Sequence, residues 1–236
     1  KIIIDKDVDL KGNVCKISSN KILVFKGGLI KNGVLLGNMT KIEGKGKAFN
    51  RVTIKGSWNV PEISTRLFAD LSYENSLRDV VALANPKIKN RIVIEKGDYY
   101  VKTNKGADVC LPVSSNTDAI LNGTIHLVAN AYKHYYILNI KGKNIKVRGK
   151  GSIIGDRKSH TGNEGQWGMG INLKGAINTT ISGLTIKDCW GDCIYVGGNS
   201  RNVIIENCKI DGGRRQGISV TKANGVTIRN CTITNV

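Results

Sequence analysis

Apolar and polar residues alternate in short runs along the C-terminal part of the chain, and the runs recur at nearly constant spacing. Two series of isoleucines repeat every 23 or 24 residues: Ile186, Ile210 and Ile233, and Ile171, Ile194 and Ile218. Alternation within each unit is typical of a short strand whose side chains point in and out by turns. A period in the twenties is typical of a solenoid, in which each coil buries its apolar face by stacking on its neighbours. The pattern therefore predicts a parallel β-helix.

The rest of the chain divides into a small first section and the remainder of this solenoid. Residues 1–60 contain short β-type runs broken by glycine, and their irregular spacing leaves open a small β-solenoid or a sandwich-like cap. A helix is predicted near 74–84, with its apolar residues on one face and Ser72 as its N-cap. Residues 61–236 are assigned to the β-helix, which we expect to be truncated at its C-terminal end because the repeat is still running at Val236. The predicted fold class is all-β.

The charge of the chain points to an anionic partner. Thirty-six Lys and Arg against eighteen Asp and Glu leave a net charge of +18, which favours an acidic polymer, a nucleic acid or an anionic surface over a neutral one. The alternative is that scattered lysines only solvate a β surface. Aromatic residues make up 6% and no block of Lys and Arg occurs, so a nucleic-acid partner is not favoured. No run approaches the roughly 18 apolar residues of a membrane span.

The six cysteines are predicted to be buried thiols and not a disulfide set. Cys208 and Cys231 fall at the same inward position of neighbouring coils, where a coil earlier has Leu184. Cysteine at such a position behaves as a small apolar side chain. Cys189 and Cys193 are four residues apart and would need two more ligands to hold zinc, so no metal site is predicted.

A groove on one outer face of the coils is the predicted binding site. A polar, glycine-rich insertion at residues 155–168 emerges between two coils, and outward positions of the following strands stack beside it. Aromatic faces, amides and hydroxyls suit a sugar chain, and arginines suit carboxylates on an acidic one. The predicted substrate-binding residues are His160, Glu164, Trp167, Asn172, Trp190, Tyr195, Arg214, Gln216 and Ser219. Corner asparagines are predicted to form stacked amide ladders instead: Asn178, Asn202, Asn207 and Asn230.

The order of a helix, the segment VIEKGDYYV and then coils resembles the pectate-lyase-like right-handed β-helix superfamily. That resemblance implies a right-handed helix whose N-terminal mouth is closed by the short helix. WGDCIYV and GGRRQGISV are similar to two strands of the polygalacturonase-like family, and Asp192 then matches the second Asp of its paired-aspartate motif. Three other catalytic positions of that family fall on Met169, Gly191 and Gln216, which carry no acid or base.

Two kinds of chemistry remain open for the groove. Inverting hydrolysis needs two carboxyls about 6.5–9.5 Å apart, with Asp192 as the matched one and Asp188 and Asp211 as the alternatives. Elimination needs a basic side chain beside a uronate carboxylate, for which Arg215 and its neighbour Arg214 are candidates. No cofactor is predicted, with Ca²⁺ on these aspartates left as the alternative.

The sequence predicts an extracellular protein, secreted or on the cell surface, that binds an acidic polysaccharide. Cleavage by a lyase or glycosidase mechanism is favoured but left open, because the catalytic motifs are matched only in fragments. The alternative is a non-enzymatic structural or adhesive module, such as the β-helix of a phage tail spike or appendage in a virion. In that case we expect a homotrimer.

Overall fold

The computed structural model describes residues 1–44, 46–106 and 108–236. The paired strands run parallel in each of three sheets. This confirms the all-β fold and the parallel β-helix that the alternation predicted. Isoleucines of the repeat pair in register, with Ile186 opposite Ile210 and Ile210 opposite Ile233.

Each C-terminal coil has three faces. The two longest strands bend at the corner between the first two faces and therefore contribute to both. Face 1 is formed by β10 (Asp108–Val113), the first halves of β13 (His134–Gly149) and β15 (Trp167–Ser182), β17 (Ile194–Gly197) and β20 (Ile218–Val220). Face 2 is formed by β7 (Glu62–Ser64), β8 (Asn90–Ile94), β11 (Thr117–Leu121), the second halves of β13 and β15, β18 (Arg201–Glu206) and β21 (Asn224–Arg229). Face 3 is formed by β9 (Asp98–Val101), β12 (Thr124–Leu127), β14 (Ser152–Ile154), β16 (Thr185–Lys187), β19 (Lys209–Asp211) and β22 (Thr232–Thr234).

Residues 1–60 form a small solenoid, which resolves the alternative left open by the sequence. Its strands pair in parallel around the long β5: β1 (Ile2–Ile4), β2 (Val8–Asp9), β3 (Val14–Lys16), β4 (Ile22–Phe25), β5 (Ile30–Gly44) and β6 (Phe49–Trp58). A parallel bridge between Phe49 and Phe68 joins β6 to the chain that follows. One apolar core extends from Ile4 to Ile210, so the first section and the coils share their interior.

The helix α1 (Ser76–Val81) is shorter than the predicted 74–84. A 3₁₀ turn at Thr65–Leu67 precedes it. Ser72 is not its cap, which corrects the prediction: Ser72 is bonded to Asp70, and the N-cap residue is Asn75. Asn75 adopts a left-handed conformation, and its side chain accepts from the backbone N–H of Lys102 instead of from the helix. The Asn75 side chain is therefore used to bind the adjacent strand and does not cap the helix.

Both sides of α1 are bound, so the helix closes the coils against the first section. Asp79 accepts a hydrogen bond from the backbone N–H of Ile54 in β6, at 2.9 Å. Arg78 donates to the carbonyl of Cys110 in β10 at 2.9 Å and reaches the Asp108 carboxylate at 3.1 Å. The fully buried Leu77 and Val80 pack between these contacts.

Asparagines form a ladder at the corner between faces 1 and 2. Each amide donates to the one before it along Asn116, Asn144, Asn178 and Asn202, with N–O distances of 3.1, 3.5 and 3.1 Å. All have positive φ, which asparagine tolerates better than other side chains. The predicted pair Asn207 and Asn230 also sits at left-handed corners, but no side-chain hydrogen bond joins the two in the described part of the chain.

The six cysteines are free thiols. Cys110, Cys189, Cys193 and Cys208 are buried and Cys231 is half-buried, as predicted, whereas Cys15 in β3 is exposed. Burial raises the pKa of Cys110 to about 12 and that of Cys208 to about 11. These thiols are therefore protonated packing groups at neutral pH.

Candidate functional site

A groove of about 510 Å³ crosses the outside of face 1. The residues that line it come from four successive coils: His134, Tyr136, Trp167, Met169, Asn172, Lys174, Tyr195, Arg215 and Thr221. Four of the nine are aromatic or imidazole rings, two are cations and none is acidic. The surface is thus suited to a ligand with flat faces, hydroxyl groups and negative charge.

A column of outward residues, one from each coil, runs along the groove. Strand register places Asn139 opposite Asn172, Asn172 opposite Tyr195 and Tyr195 opposite Ser219. Asn172 donates to Asn139 at 2.5 Å and is only 2% exposed, so it forms part of the groove wall more than its surface. The Tyr195 hydroxyl is hydrogen-bonded to Thr221 at 2.7 Å, which fixes the direction of its ring.

Trp167 supplies the exposed ring of the groove, with 45% of the residue accessible to solvent. It begins β15, and its backbone N–H donates to the carbonyl of Lys133 at 3.2 Å. The His134 ring contacts it edge-on with centroids 6.4 Å apart, and the Tyr136 ring meets His134 edge-on at 4.9 Å. His134 Nε2 and the Tyr136 hydroxyl are in hydrogen-bond contact.

Asp192 lies beneath the groove, and its side chain is fully buried. Arg215 Nε lies 3.1 Å from Asp192 Oδ1 and forms an ion pair with it, while the remainder of Arg215 lines the groove. Burial raises the pKa of Asp192, and the nearby Ser219 hydroxyl and Arg215 charge oppose that shift. The arrangement makes Asp192 an anchor for Arg215 from below, which orients the guanidinium at the groove floor.

The insertion folds back onto the coils through a buried carboxylate. Asp156 accepts hydrogen bonds from the Asn130 amide and from His160 Nδ1, both at 2.8 Å, and from the Tyr135 hydroxyl. His160 is therefore an interior residue, with its side chain shielded from solvent. The structure does not bring it to the groove.

Trp190 and Arg214 complete this anchor. The Trp190 ring stacks on His160 with centroids 3.8 Å apart and planes 18° from parallel, and Arg214 lies 3.7 Å above the other face of Trp190. Arg214 also donates to the carbonyl of Gly165 in the insertion. Both residues hold the insertion in place beside the groove and are absent from its lining.

The remaining predicted residues lie outside the groove. Glu164 is exposed at the surface of the insertion and paired with Lys133, and Gln216 is exposed ahead of β20. Asp188 occupies a left-handed corner, where Lys158 is 3.1 Å away. Asp211 accepts from Thr234 and Asn235 at the end of β19. Neither aspartate faces the groove that Asp192 underlies.

Sequence reasoning missed His134, Tyr136, Lys174 and Thr221, which also line the groove. Lys174 is the next outward position after Asn172 in β15, so the alternation of the strand is a signal from which it could be predicted. His134 and Tyr136 precede the insertion by a coil, and the insertion itself lengthens the spacing. Their register with Trp167 and Met169 emerges only from the strand pairing.

Other features of the described residues fit a site less well. A larger depression of about 660 Å³ is lined by Thr65, Arg66, Phe68 and Tyr99, among others. Its two rings are buried, and Arg66 is paired with Glu95, also in the lining, at 2.8 Å. The described residues contain no cluster of three or more His, Cys, Asp or Glu placed to hold a metal ion. None of their helices has the length and apolar character needed to cross a membrane.

Comparison with known proteins gives a family and two uncharacterised relatives. A family model described as right handed beta helix region matches residues 88–236. The SPbeta prophage-derived uncharacterized protein YorA of Bacillus subtilis (strain 168) is 25% identical over 167 residues, covering 61% of this chain. The uncharacterized protein YclG of the same organism is 28% identical over 167 residues, covering 58% of this chain. The chain spans 28% of the length of each relative. No solved structure matches it.

Proposed function

Because the chain belongs to the right-handed β-helix family, we propose that its coils serve as a rigid platform on which the face 1 groove binds an acidic polysaccharide outside the cell. The observation that carries the proposal is the groove lining, which combines an exposed Trp167, the ring of Tyr195 and the cations Lys174 and Arg215 without any carboxylate. Sugar rings stack on such faces, and their carboxylates pair with such cations.

The fixed geometry of the groove supports recognition. Tyr195, Arg215 and Asn172 are each held in place by another side chain of the protein, namely Thr221, Asp192 and Asn139. Side chains that are already ordered lose less conformational entropy when a ligand binds. The insertion is anchored through Asp156, so Trp167 is likewise positioned before binding.

The test is retardation of the protein in native gels that contain acidic polysaccharides such as polygalacturonate or alginate. We expect Trp167→Ala to weaken binding by about 10- to 100-fold, since loss of a stacking ring costs on the order of 1–3 kcal/mol by analogy with stacked bases. Tyr100→Ala is the matched control, because Tyr100 is 46% exposed and lies on face 3. Equal effects of the two variants, or no retardation on any acidic polymer, would refute the proposal.

A second candidate function is a structural or adhesive module of a phage particle. The observation that favours it is the prophage-derived relative YorA. A parallel β-helix then acts as a rod, and we expect a homotrimer in solution. Light scattering on the purified chain tests this candidate, and a monomer at all concentrations would count against it.

A further inference from the structure

His134 and Tyr136 lie side by side on β13 at one end of the groove, and neither has a role in packing the core. Their rings meet edge-on at 4.9 Å, and His134 Nε2 is in hydrogen-bond contact with the Tyr136 hydroxyl. Both line the groove next to the exposed Trp167. A neutral imidazole with its proton on Nδ1 leaves Nε2 to accept the phenolic proton. The pair thus joins a proton acceptor to a proton donor at a solvent-accessible surface.

Burial and the neighbouring groups set the protonation state of both side chains of this pair. Burial lowers the pKa of His134, and the charge of Lys174 lowers it further. Burial raises the pKa of Tyr136, with Tyr195 adding to the shift. Both side chains are consequently neutral at pH 7 before substrate binds. In this state the phenol can give its proton to the imidazole. Lys174 and Arg215 supply positive charge to the same groove.

Hydrolysis by paired carboxyls does not fit the groove. Such hydrolysis requires two carboxyl groups about 6.5–9.5 Å or about 5–5.5 Å apart, on either side of the scissile bond. The lining contains no carboxylate, and Asp192 has a buried side chain below Arg215. Elimination requires no attacking water, only a base, a proton donor and positive charge near the carboxylate of the substrate.

We propose that His134 and Tyr136 are the proton-transfer pair of a β-elimination on a 4-linked uronate chain bound in the groove, with Lys174 beside them pairing with the uronate carboxylate. This inference rests on the function proposed above, and it replaces Arg215 and Arg214 as candidate bases. Arg215 is paired with Asp192, and Arg214 is stacked on Trp190 away from the groove.

The step balances with no added reactant. The Tyr136 oxygen takes the proton from C5 of the uronate as its own proton passes to His134 Nε2. The electron pair of the C5–H bond forms the C4=C5 double bond, and the C4–O4 bond breaks. The proton on His134 returns through Tyr136 to the departing O4. The products are an unsaturated uronate end and a new hydroxyl end, and both side chains regain their starting protonation.

The experiment follows the ultraviolet absorbance of the conjugated C4=C5 double bond during incubation with polygalacturonate, alginate and glucuronan. Binding of each polymer is measured separately by affinity electrophoresis. We expect absorbance to rise with at least one polymer. Tyr136→Phe and His134→Gln should each lower the rate by about 100-fold or more, in the range of general acid–base catalysis, and leave retardation in the gel largely unchanged.

The chain offers a matched control for these variants. Tyr100 and His126 form a second tyrosine–histidine pair on face 3, in which the rings are stacked with centroids 5.1 Å apart. Tyr100→Phe and His126→Gln should leave the rate unchanged. Circular dichroism of all four variants checks that each retains the fold.

Each outcome decides between the two proposals. Retardation without any unsaturated product overturns the elimination and leaves polysaccharide binding standing. Elimination that survives Tyr136→Phe and His134→Gln overturns the assignment of this pair. Absence of both retardation and product with every polymer overturns the proposed function, and the elimination falls with it.

Discussion

Three buried aspartates each join separate parts of the structure, and each has a different set of hydrogen-bond or ion-pair partners. Asp156 joins the insertion to Asn130 of the preceding coil, Asp192 anchors Arg215, and Asp79 connects α1 to the first section. Asp79 accepts from the backbone N–H of Ile54 at 2.9 Å and from the Tyr73 hydroxyl at 3.0 Å. A buried carboxylate with two donors is costly to replace, because both donors lose their partner.

The pH dependence of stability should reveal Asp79. Burial raises its pKa in the folded state, against the two hydrogen bonds. A carboxyl with a raised folded-state pKa contributes stability below its unfolded pKa and loses it as pH rises through the folded value. We therefore expect the wild type to be most favoured over Asp79→Asn at acidic pH, and that advantage to shrink as pH rises. Urea unfolding at a series of pH values measures it.

Asp118 provides a control of opposite sign. Its hydrogen bonds to Arg148, at 2.8 and 2.9 Å, hold its pKa below the usual range. The advantage of the wild type over Asp118→Asn should be present above the ordinary aspartate pKa and disappear as pH falls through the lowered value. Slopes of the same sign for the two variants would contradict the assignment of Asp79.

At the scale of one element, the asparagine ladder stabilises its corner in two ways, through amide hydrogen bonds and through a residue type that tolerates the left-handed backbone conformation. Substitutions can separate these two contributions to stability. Asn144 lies in the left-handed region at φ 60° and makes amide contacts with both Asn116 and Asn178. Alanine loses the contacts and is strained in this backbone conformation, whereas glycine loses only the contacts.

Asn144→Ala should reduce the free energy of unfolding by about 1–3 kcal/mol, the cost of holding an ordinary side chain in this region. Asn144→Gly should cost clearly less. Chemical denaturation of both variants measures the difference. If glycine is as damaging as alanine, the ladder and not the backbone conformation dominates this corner.

The ladder also shows how far the sequence could predict each element. Asn178 and Asn202 were found because they are 24 residues apart, within the regular repeat. Asn116 and Asn144 were missed, since the intervals of 28 and 34 residues around Asn144 include loops of other lengths. Strand alternation is a local property that survives such insertions. The register between coils is not local, and an insertion shifts it. The groove residues His134 and Tyr136 were missed for the same reason.

The α1 cap shows the complementary failure, in which a correct local signal was overridden by a distant contact. Ser72 has the chemistry of an N-cap, yet Asp70 accepts its hydroxyl at 2.6 Å. Asn75 instead fixes the start of the helix by pairing with the strand at Tyr100 and Lys102. Such a contact joins residues more than twenty positions apart and has no periodic signature.

At the scale of the whole molecule, the charge of +18 predicts how binding responds to salt. Charge attraction is screened over about 10 Å at 0.1 M salt and about 3 Å at 1 M. Retardation by an acidic polysaccharide should therefore weaken progressively as salt is raised. Gels prepared with increasing sodium chloride measure the trend, with a neutral polymer such as dextran as the control. Binding that is independent of salt would contradict a role for the charge.

The way the insertion is attached has a consequence for how such proteins diverge. Its two ends are held by backbone hydrogen bonds to neighbouring coils, from Gly155 to Lys187 and from Trp167 to Lys133. Exposed residues between those ends, such as Asn163 and Glu164, can be exchanged without disturbing the register of Asn172 and Tyr195, whereas the buried side chains of Asp156 and His160 keep the segment anchored. Natural variation among descendants of one ancestor is thus expected to concentrate in this segment. New recognition can then evolve on an unchanged rod.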